Sequence, residues 1–145
     1  MINDENKRKG RVMGVDFGDA RTGIAISDVT GFLASGVGVL RATGIKSAAR
    51  AVANEAKRHG LVLIVIGNPI NMDGTEGPRS ERVRAFAEQV ATLTGLPVEL
   101  FDERLTTAAA HRIMNETDTR GRRRKGAVDA LSAEIILQNY LDSHK

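Results

Sequence analysis

Carboxylates at three places in the chain sit where chemistry would use them. Asp16 closes an apolar stretch, VMGVDFG, that runs straight into a glycine turn. A carboxylate at a strand end can project from the carboxyl edge of a sheet, where ligands commonly bind. It would equally serve as a turn cap. Asp102 and Glu103 close a second short run, VELF. Consecutive strand residues face opposite sides, so at most one of this pair can join Asp16. The plainer use for them is a salt bridge to Arg104 or a cap for the helix that follows. Asp129 opens a helical pattern. At about 100° per residue it lies in line with Ala133, Ile136 and Tyr140, while Glu134, Gln138 and Asp142 mark the polar side. A carboxylate on an apolar row is costly unless it is paired or bound to a cation. Attraction to the helix dipole explains an acid near the start but not its side.

Two strand ends and one helix start can converge on a point. Their acids would repel one another unless a divalent cation neutralised them. Magnesium suits such oxygen ligands and keeps waters for chemistry, and manganese shares the preference. Two such ions activate water and stabilise the leaving oxygen in phosphodiester cleavage. The expected site therefore holds one or two Mg2+ or Mn2+ ions, with water as the nucleophile and no catalytic serine or threonine.

Charge supports a polyanionic substrate. The segment 117–126, TDTRGRRRKG, holds five basic residues and one acid, while the whole chain has a net charge of only +3. Such a run suits nucleic acid, although a solvated loop would look the same. Arg120, Arg122, Arg123, Arg124 and Lys125 are the candidate contacts, with Arg21 counted among them. Arg79 and Arg82 mark an alternative path. Aromatic residues make up 3% of the chain, so little surface is available to stack bases. Recognition is then by shape and backbone.

Other classes drop out. The chain has no cysteine, which excludes a disulfide framework and a thiolate site. His59, His111 and His144 are far apart and form no zinc pattern. Leu61 to Gly67 is the longest apolar stretch, well short of the ~20 residues that span a bilayer. The opening MINDENKRKGR has no apolar core of a secretory signal. The expectation is a cytoplasmic protein with no membrane partner.

At 145 residues the chain is read as one domain, 1–145, with residues 1–10 and about 117–126 flexible. Periodicity predicts strands at Arg11–Phe17, Thr22–Ser27, Gly36–Leu40, Leu61–Ile66 and Val98–Phe101, the first two forming a hairpin. The fourth is apolar throughout and should be central. Helices are expected at Lys46–His59, after Gly77, from Thr106 to about Asn115, and from Ala127 to about Leu141. The order β-β-β-α-β-α-β-α predicts an α/β fold, a mixed five-stranded sheet with helices on both faces. The fifth strand can lie beside the first or the fourth. The connection GNPINMDGTEG carries Asn71, Asp73, Gly74 and Gly77 before a helix start, where a phosphate can bind. Its plainer reading is a tight turn with positive φ at Gly74 and Gly77.

The segments GVDFGDARTGIAISD (14–28), NMDGTEG (71–77), FDERLTTAAA (101–110) and KGAVDALSAEIILQNYL (125–141) together resemble the YqgF family. Its members are provisionally described as pre-16S rRNA nucleases or Holliday-junction resolvase-like proteins. The resemblance runs from about residue 11 to 142. It implies an RNase H-like fold and a metal-dependent nuclease acting on structured nucleic acid, maturing small-subunit ribosomal RNA. It matches Asp16 to the first-strand acid, the DER motif to Asp102, Glu103 and Arg104, and Asp129 to the acid of the last helix. Glu103 is favoured over Asp102 as the metal ligand because its longer arm reaches past the strand end. Asn68 and Pro69 depart from the Leu-Pro of many members. Precursor rRNA is the favoured partner, with ribosomal particles as a further one. A four-way DNA endonuclease and a non-catalytic RNA- or ribosome-binding module of the same fold are the alternatives, and oligomeric state is open. The opening VDFGDARTGIA also resembles the phosphate hairpin of actin-like phosphotransferases, but those clamp a nucleotide between two such domains.

Replacing Arg122, Arg123 and Arg124 with alanine should weaken nucleic-acid binding and leave the fold intact. Each arginine that neutralises a duplex phosphate adds about 0.9 to the log–log salt slope, so the triple variant should flatten it by up to about 2.7. Binding measured across a salt series checks this, and an unchanged slope would move the polyanion path elsewhere.

Overall fold

The computed structural model of the protein describes residues 10–107 and 122–144, with side chains from Ala130 onward in the last helix. Its elements in chain order are β1 (Arg11–Asp16), β2 (Arg21–Ser27), β3 (Ala34–Arg41), α1 (Ile45–Ala56), β4 (Leu61–Asn68), α2 (Pro78–Thr94), β5 (Val98–Asp102), a 3-10 turn (Glu103–Leu105) and α3 (Arg122–Ser143). Sequence punctuation sets several boundaries. Pro78 starts α2, where a missing N–H costs nothing, and Gly95 ends it at φ 71°.

Among the described residues the strands form one sheet in the order β3-β2-β1-β4-β5. β1, β2 and β3 pair antiparallel, whereas β4 joins β1, and β5 joins β4, in parallel through the helical crossovers. β5 thus lies outside β4 and not beside β1. The apolar run Leu61–Ile66 is central, as its two-sided hydrophobicity requires.

Each face of the sheet has its own core. Met13, Val15, Ile24, Ile26, Ile64 and Ile66 pack against α1 and α2. Val12, Ala25 and Val65 pack against Ala133, Ile136, Leu137 and Tyr140 of α3. Helices therefore cover both faces of a mixed five-stranded sheet, as expected. No helix among the described residues is long and apolar enough to cross a membrane.

Three expectations need correction or fall outside what is described. The last helix begins at Arg122, not Ala127. Arginine and lysine are good helix formers, so the basic residues extend the helix back past Gly126. Residues 122–126 of the segment read as a flexible loop are therefore helical, while 117–121 lie outside the described residues. Nearly all of the helix expected at 106–115 lies there too. Thr106, expected to cap it, closes the 3-10 turn by donating its backbone N–H to the Glu103 carbonyl (3.0 Å). The polar side of α3 also reaches the sheet edge. The Ala34 N–H donates to Gln138 Oε1 and the Gly36 N–H to Glu134 Oε1, each at 2.9 Å. Edge strand β3 would otherwise present unpaired N–H groups there, and the helix side chains satisfy them.

α3 sits close to the sheet because three strand positions lack side chains. A β-carbon at Gly14 would lie 2.6 Å from Leu137 Cβ and 3.0 Å from the Ala133 carbonyl oxygen. One at Gly36 would lie 3.1 Å from Glu134 Oε1, and one at Gly67 would lie 2.6 Å from Ile136 Cδ1. Gly14 meets helix backbone, which cannot give way as a side-chain tip can. Gly14→Ala should therefore destabilise the fold by about 1–3 kcal/mol or more. Chemical denaturation measures this as a lowered midpoint, and an unchanged midpoint would show that α3 is free to lift.

Candidate active site

The sheet faces decide which acids meet. Val12 lies in the α3 core and Gly14 lies under α3, so alternation puts Asp16, the last residue of β1, on the same face. It is 5% exposed. Val15 pairs with Ile66, so the next step of that parallel register sets Asp16 level with Gly67 of β4.

Asp102 is on the other face. It pairs with Asn68, one residue beyond the α3-facing pair Gly67 and Phe101. The chain then bends into the 3-10 turn and carries Glu103 back to the α3 side. Glu103 is 2% exposed, and its Cγ and Oε2 lie 3.1 Å from where a β-carbon of Gly67 would be. Neighbouring strands are about 4.8 Å apart, so Glu103, lying over Gly67, stands beside Asp16. The chain reversal, and not the length of its arm, is what carries Glu103 to the α3 face.

Asp102 takes the plainer role. It caps the 3-10 turn, accepting the Arg104 N–H at 2.9 Å, and its Oδ2 lies 2.8 Å from Arg104 Nη2. The hydrogen bond from the Arg104 guanidinium is the main cause that holds the Asp102 carboxyl below its usual range. With the folded pKa lowered, this pairing stabilises the fold above the ordinary carboxylate range and is lost as pH falls through the lowered value.

The direction of α3 sets the third position. Glu134 meets Gly36 and Gln138 meets Ala34 on β3, while Ile136 meets Gly67 on β4 and Tyr140 donates its hydroxyl to Glu99 Oε2 (3.0 Å) on β5. Both rows descend from the carboxyl edge of β1 and β4 toward the amino edge, so the helix starts at the edge that carries Asp16 and Glu103. Ala133, Ile136 and Tyr140 are buried, as the row predicted. Position 129 continues that row, but its carboxylate lies outside the described side chains.

The basic candidates divide. Arg21 opens β2 on the α3 face, four residues from the buried Ala25. Arg122, Arg123, Arg124 and Lys125 occupy the first turn of α3, which holds no acidic residue; Arg120 is outside the described residues. Arg79 and Arg82 lie by α2 on the opposite face and line a small cleft with Phe17, Gly18, Asp19 and Val83. Arg82 is held by Asp19 at 2.6 Å.

The 71–77 connection is folded largely on itself. Asn71 donates its N–H to the Thr75 carbonyl and accepts from the Gly74 N–H, and Thr75 donates both N–H and hydroxyl to Asp73 Oδ1. Those bonds, the Thr75 hydroxyl foremost, hold the Asp73 carboxyl below its usual range. An anionic side chain with its partners in place is a poor phosphate seat, so the plainer reading of Asn71, Asp73, Gly74 and Gly77 has the better support. Gly74 has the expected positive φ of 90°. Gly77 does not: its φ is −102° at the α2 cap, and its missing side chain makes room for Asn71 Nδ2 at 3.3 Å.

One position of the candidate site, Gly67, escaped the sequence reading, and two that it named, Arg104 and Asn68, make contacts it did not foresee. Gly67 floors the recess, and its only signal was a lone glycine ending an apolar strand, which marks close backbone approach. Arg104 joins Asp102 to the 71–77 turn, with its Nη1 3.6 Å from where a Gly74 β-carbon would lie. Asn68, the departure from leucine, is 3% exposed, and its Oδ1 has no hydrogen-bond partner among the described residues. Its side chain bonds the Glu76 carboxyl, which the Arg84 guanidinium mainly holds below the usual range.

Among the described residues no three His, Asp or Glu side chains form a metal-holding group. Asp16 and Glu103 supply two oxygen donors on a glycine floor, a chemistry that suits a hard divalent cation.

The family model that matches residues 10–143 is RuvX, described as Holliday junction resolvase. Among curated relatives, proteins provisionally named pre-16S rRNA nuclease are similar along most of their length. The Myxococcus xanthus protein is 44% identical, with 93% of this chain and 89% of the relative covered. The Clostridioides difficile protein is 44% identical, with 92% and 94% covered. In fold the chain resembles T. thermophilus RuvC in complex with Holliday junction substrate, at TM-score 0.52 and 12% identity over 93% of this chain and 95% of that one. It also resembles the fowlpox virus Holliday junction resolvase, at TM-score 0.54 and 16% identity over 93% and 99%. The fold is RNase H-like, and the chain belongs to the RuvX family, the group to which its YqgF-like motifs pointed.

Proposed function

We propose that this protein is a metal-dependent nuclease that hydrolyses phosphodiester bonds in structured RNA, with precursor 16S rRNA as its substrate, free or within ribosomal particles of the cytoplasm. The observation that supports the reading is the placement of two buried acids at the edge where α3 begins, Glu103 over Gly67 and Asp16 level with it on the next strand. Two carboxylates in one recess repel unless a cation neutralises them. Asp16, Glu103 and Asp129 would hold one or two Mg2+ or Mn2+ ions. Such ions supply an activated water and charge stabilisation at the leaving oxygen.

The chain's own residues do the rest. Gly67 keeps the recess open for the Glu103 carboxylate. Asp102 and Arg104 neutralise each other and hold the turn that aims Glu103. The basic first turns of α3 lie at the positive end of the helix dipole, which favours a polyanion. The curated relatives' names favour ribosomal RNA over four-way DNA.

The direct test presents a precursor 16S rRNA fragment and a four-way DNA junction to the purified chain with Mg2+, Mn2+ or a chelator. Cleavage of the RNA that stops on chelation is expected. Preferred cleavage of the junction would make the substrate DNA, and binding without cleavage would make the protein an RNA-binding module. Glu103→Gln and Asp16→Asn should each lower cleavage by more than about 100-fold, since loss of mere outer-shell support to a metal costs 10–100-fold. Asp102→Asn should stay within a few-fold of wild type. Metal-free melting of Asp16→Asn should hold or rise, because like-charge repulsion is relieved.

On α3, Asp129→Asn should be inactive and Asp142→Asn, at an exposed position, fully active. Equal activities in the two variants would remove position 129 from the site.

A further inference from the structure

We infer that the seam between α1 and α2 is a docking groove for an acidic amphipathic helix of a partner protein. The inference stands apart from the nuclease reading, because these two helices cover the sheet face opposite Asp16 and Glu103. Two cavities follow one another along the seam, and Leu93 lines both. One, of about 360 Å³, is bordered by Lys46 and Arg50 of α1 and Glu88 of α2. The other, of about 220 Å³, is lined by Ala53 and Ala56 of α1, Lys57 at its end, and Leu61 and Leu96. From Lys46 to Lys57 the trough runs about 17 Å at 1.5 Å per residue, the length of three helical turns.

Small side chains hold the seam open. α1 buries the alanines Ala48, Ala49, Ala53 and Ala56, so much of its inner flank ends at β-carbons. Leu93 continues the row Phe86–Val90 of α2 by helical spacing. Phe86 and Val90 are fully buried, yet Leu93 is 49% exposed. Among the described residues it is the large apolar side chain that α1 and α2 leave exposed.

Charge selects the occupant. From Ile45 to Gly60 the chain carries Lys46, Arg50, Lys57 and Arg58 against one acid, Glu55. That acid is taken by Arg58 at 3.7 Å and His59 at 3.4 Å. Lys46, Arg50 and Lys57 border the cavities, where Glu88 is the one acid among the described residues. An apolar floor under a basic rim fits a helix with leucine-like anchors at i, i+3, i+4 and i+7 and carboxylates beside them. The stems of the basic side chains extend the apolar wall, and their heads meet acids at the rim. Nucleic acid fits less well. Among the described residues no phenylalanine, tyrosine or tryptophan lines either cavity to stack a base, and an apolar floor offers phosphate nothing. A second copy also fits less well, because an isologous contact would set the same basic rim against itself.

The test uses the full chain and fluorescein-labelled synthetic peptides of about 14 residues, four helical turns. The first carries leucine at the four anchor positions and glutamate on the flanks. The second has lysine for every glutamate, and the third has serine for every leucine. Anisotropy should show the first bound and the other two about tenfold weaker or more. Raised salt should weaken the first. Leu93→Gln should weaken it by about tenfold, as loss of a leucine anchor does. Arg50→Glu should weaken it several-fold and tighten the lysine peptide. Thermal melting and affinity for an RNA hairpin should stay at wild type in both variants. Equal binding of the glutamate and lysine peptides, no binding of the first, or wild-type affinity for it in both variants would overturn the groove. Lost RNA affinity in Arg50→Glu would give the seam to nucleic acid. A dimer in sedimentation that Leu93→Gln dissociates would give it to a second copy. Either result would overturn the helix partner.

Discussion

The seating of α3 on a sheet face stripped of side chains is the constraint that organises this protein. Gly14, Gly36 and Gly67 stand on three different strands, and a β-carbon at any of them would meet the helix at 3.1 Å or less. Protein interiors do not absorb such overlaps, because they are already close-packed. The glycines therefore fix the height of the helix, and its height and direction fix where its first turns meet the carboxyl edge. The same vacancy at Gly67 that admits Ile136 also admits Glu103, so packing and placement of the carboxylate share one cause.

Face alternation then sorts the charges. Asp16, Glu103 and Arg21 lie on the α3 side, while Asp102 and Asn68 lie on the other. On the α3 side two acids are buried, Glu103 over Gly67 and Asp16 level with it on the next strand. Carboxylates at such close quarters favour a shared cation. On the other side the ion pairs are closed within the chain: Asp102 with Arg104, Glu76 with Arg84, Asp19 with Arg82.

The open edge of β3 is managed by the same helix. Glu134 and Gln138 occupy two of its N–H groups, which blunts the edge against pairing with another strand. One helix thus supplies core contacts through one row, an edge cover through a second, and a basic start at the site.

Much of this was legible in the residues themselves. Strand periodicity, the two-sided hydrophobicity of Leu61–Ile66 and the punctuation by Pro78 and Gly95 are local signals, and local signals determine elements and their order. The row Asp129–Ala133–Ile136–Tyr140 could be read because helical geometry is rigid over a few turns. What the sequence left open was decided by contacts between distant segments. Asp102 and Glu103 are neighbours in sequence, and only the register of β5 against β4, followed by the 3-10 turn, separates them onto opposite faces. The start of α3 could not be placed from glycine and arginine content alone, since Gly126 reads locally as a break. Glu134 and Gln138 read only as part of a polar side, because their partners on β3 lie about a hundred residues away in the chain. Gly67 was silent for the same reason: a missing side chain acquires meaning only when tertiary structure brings something against it.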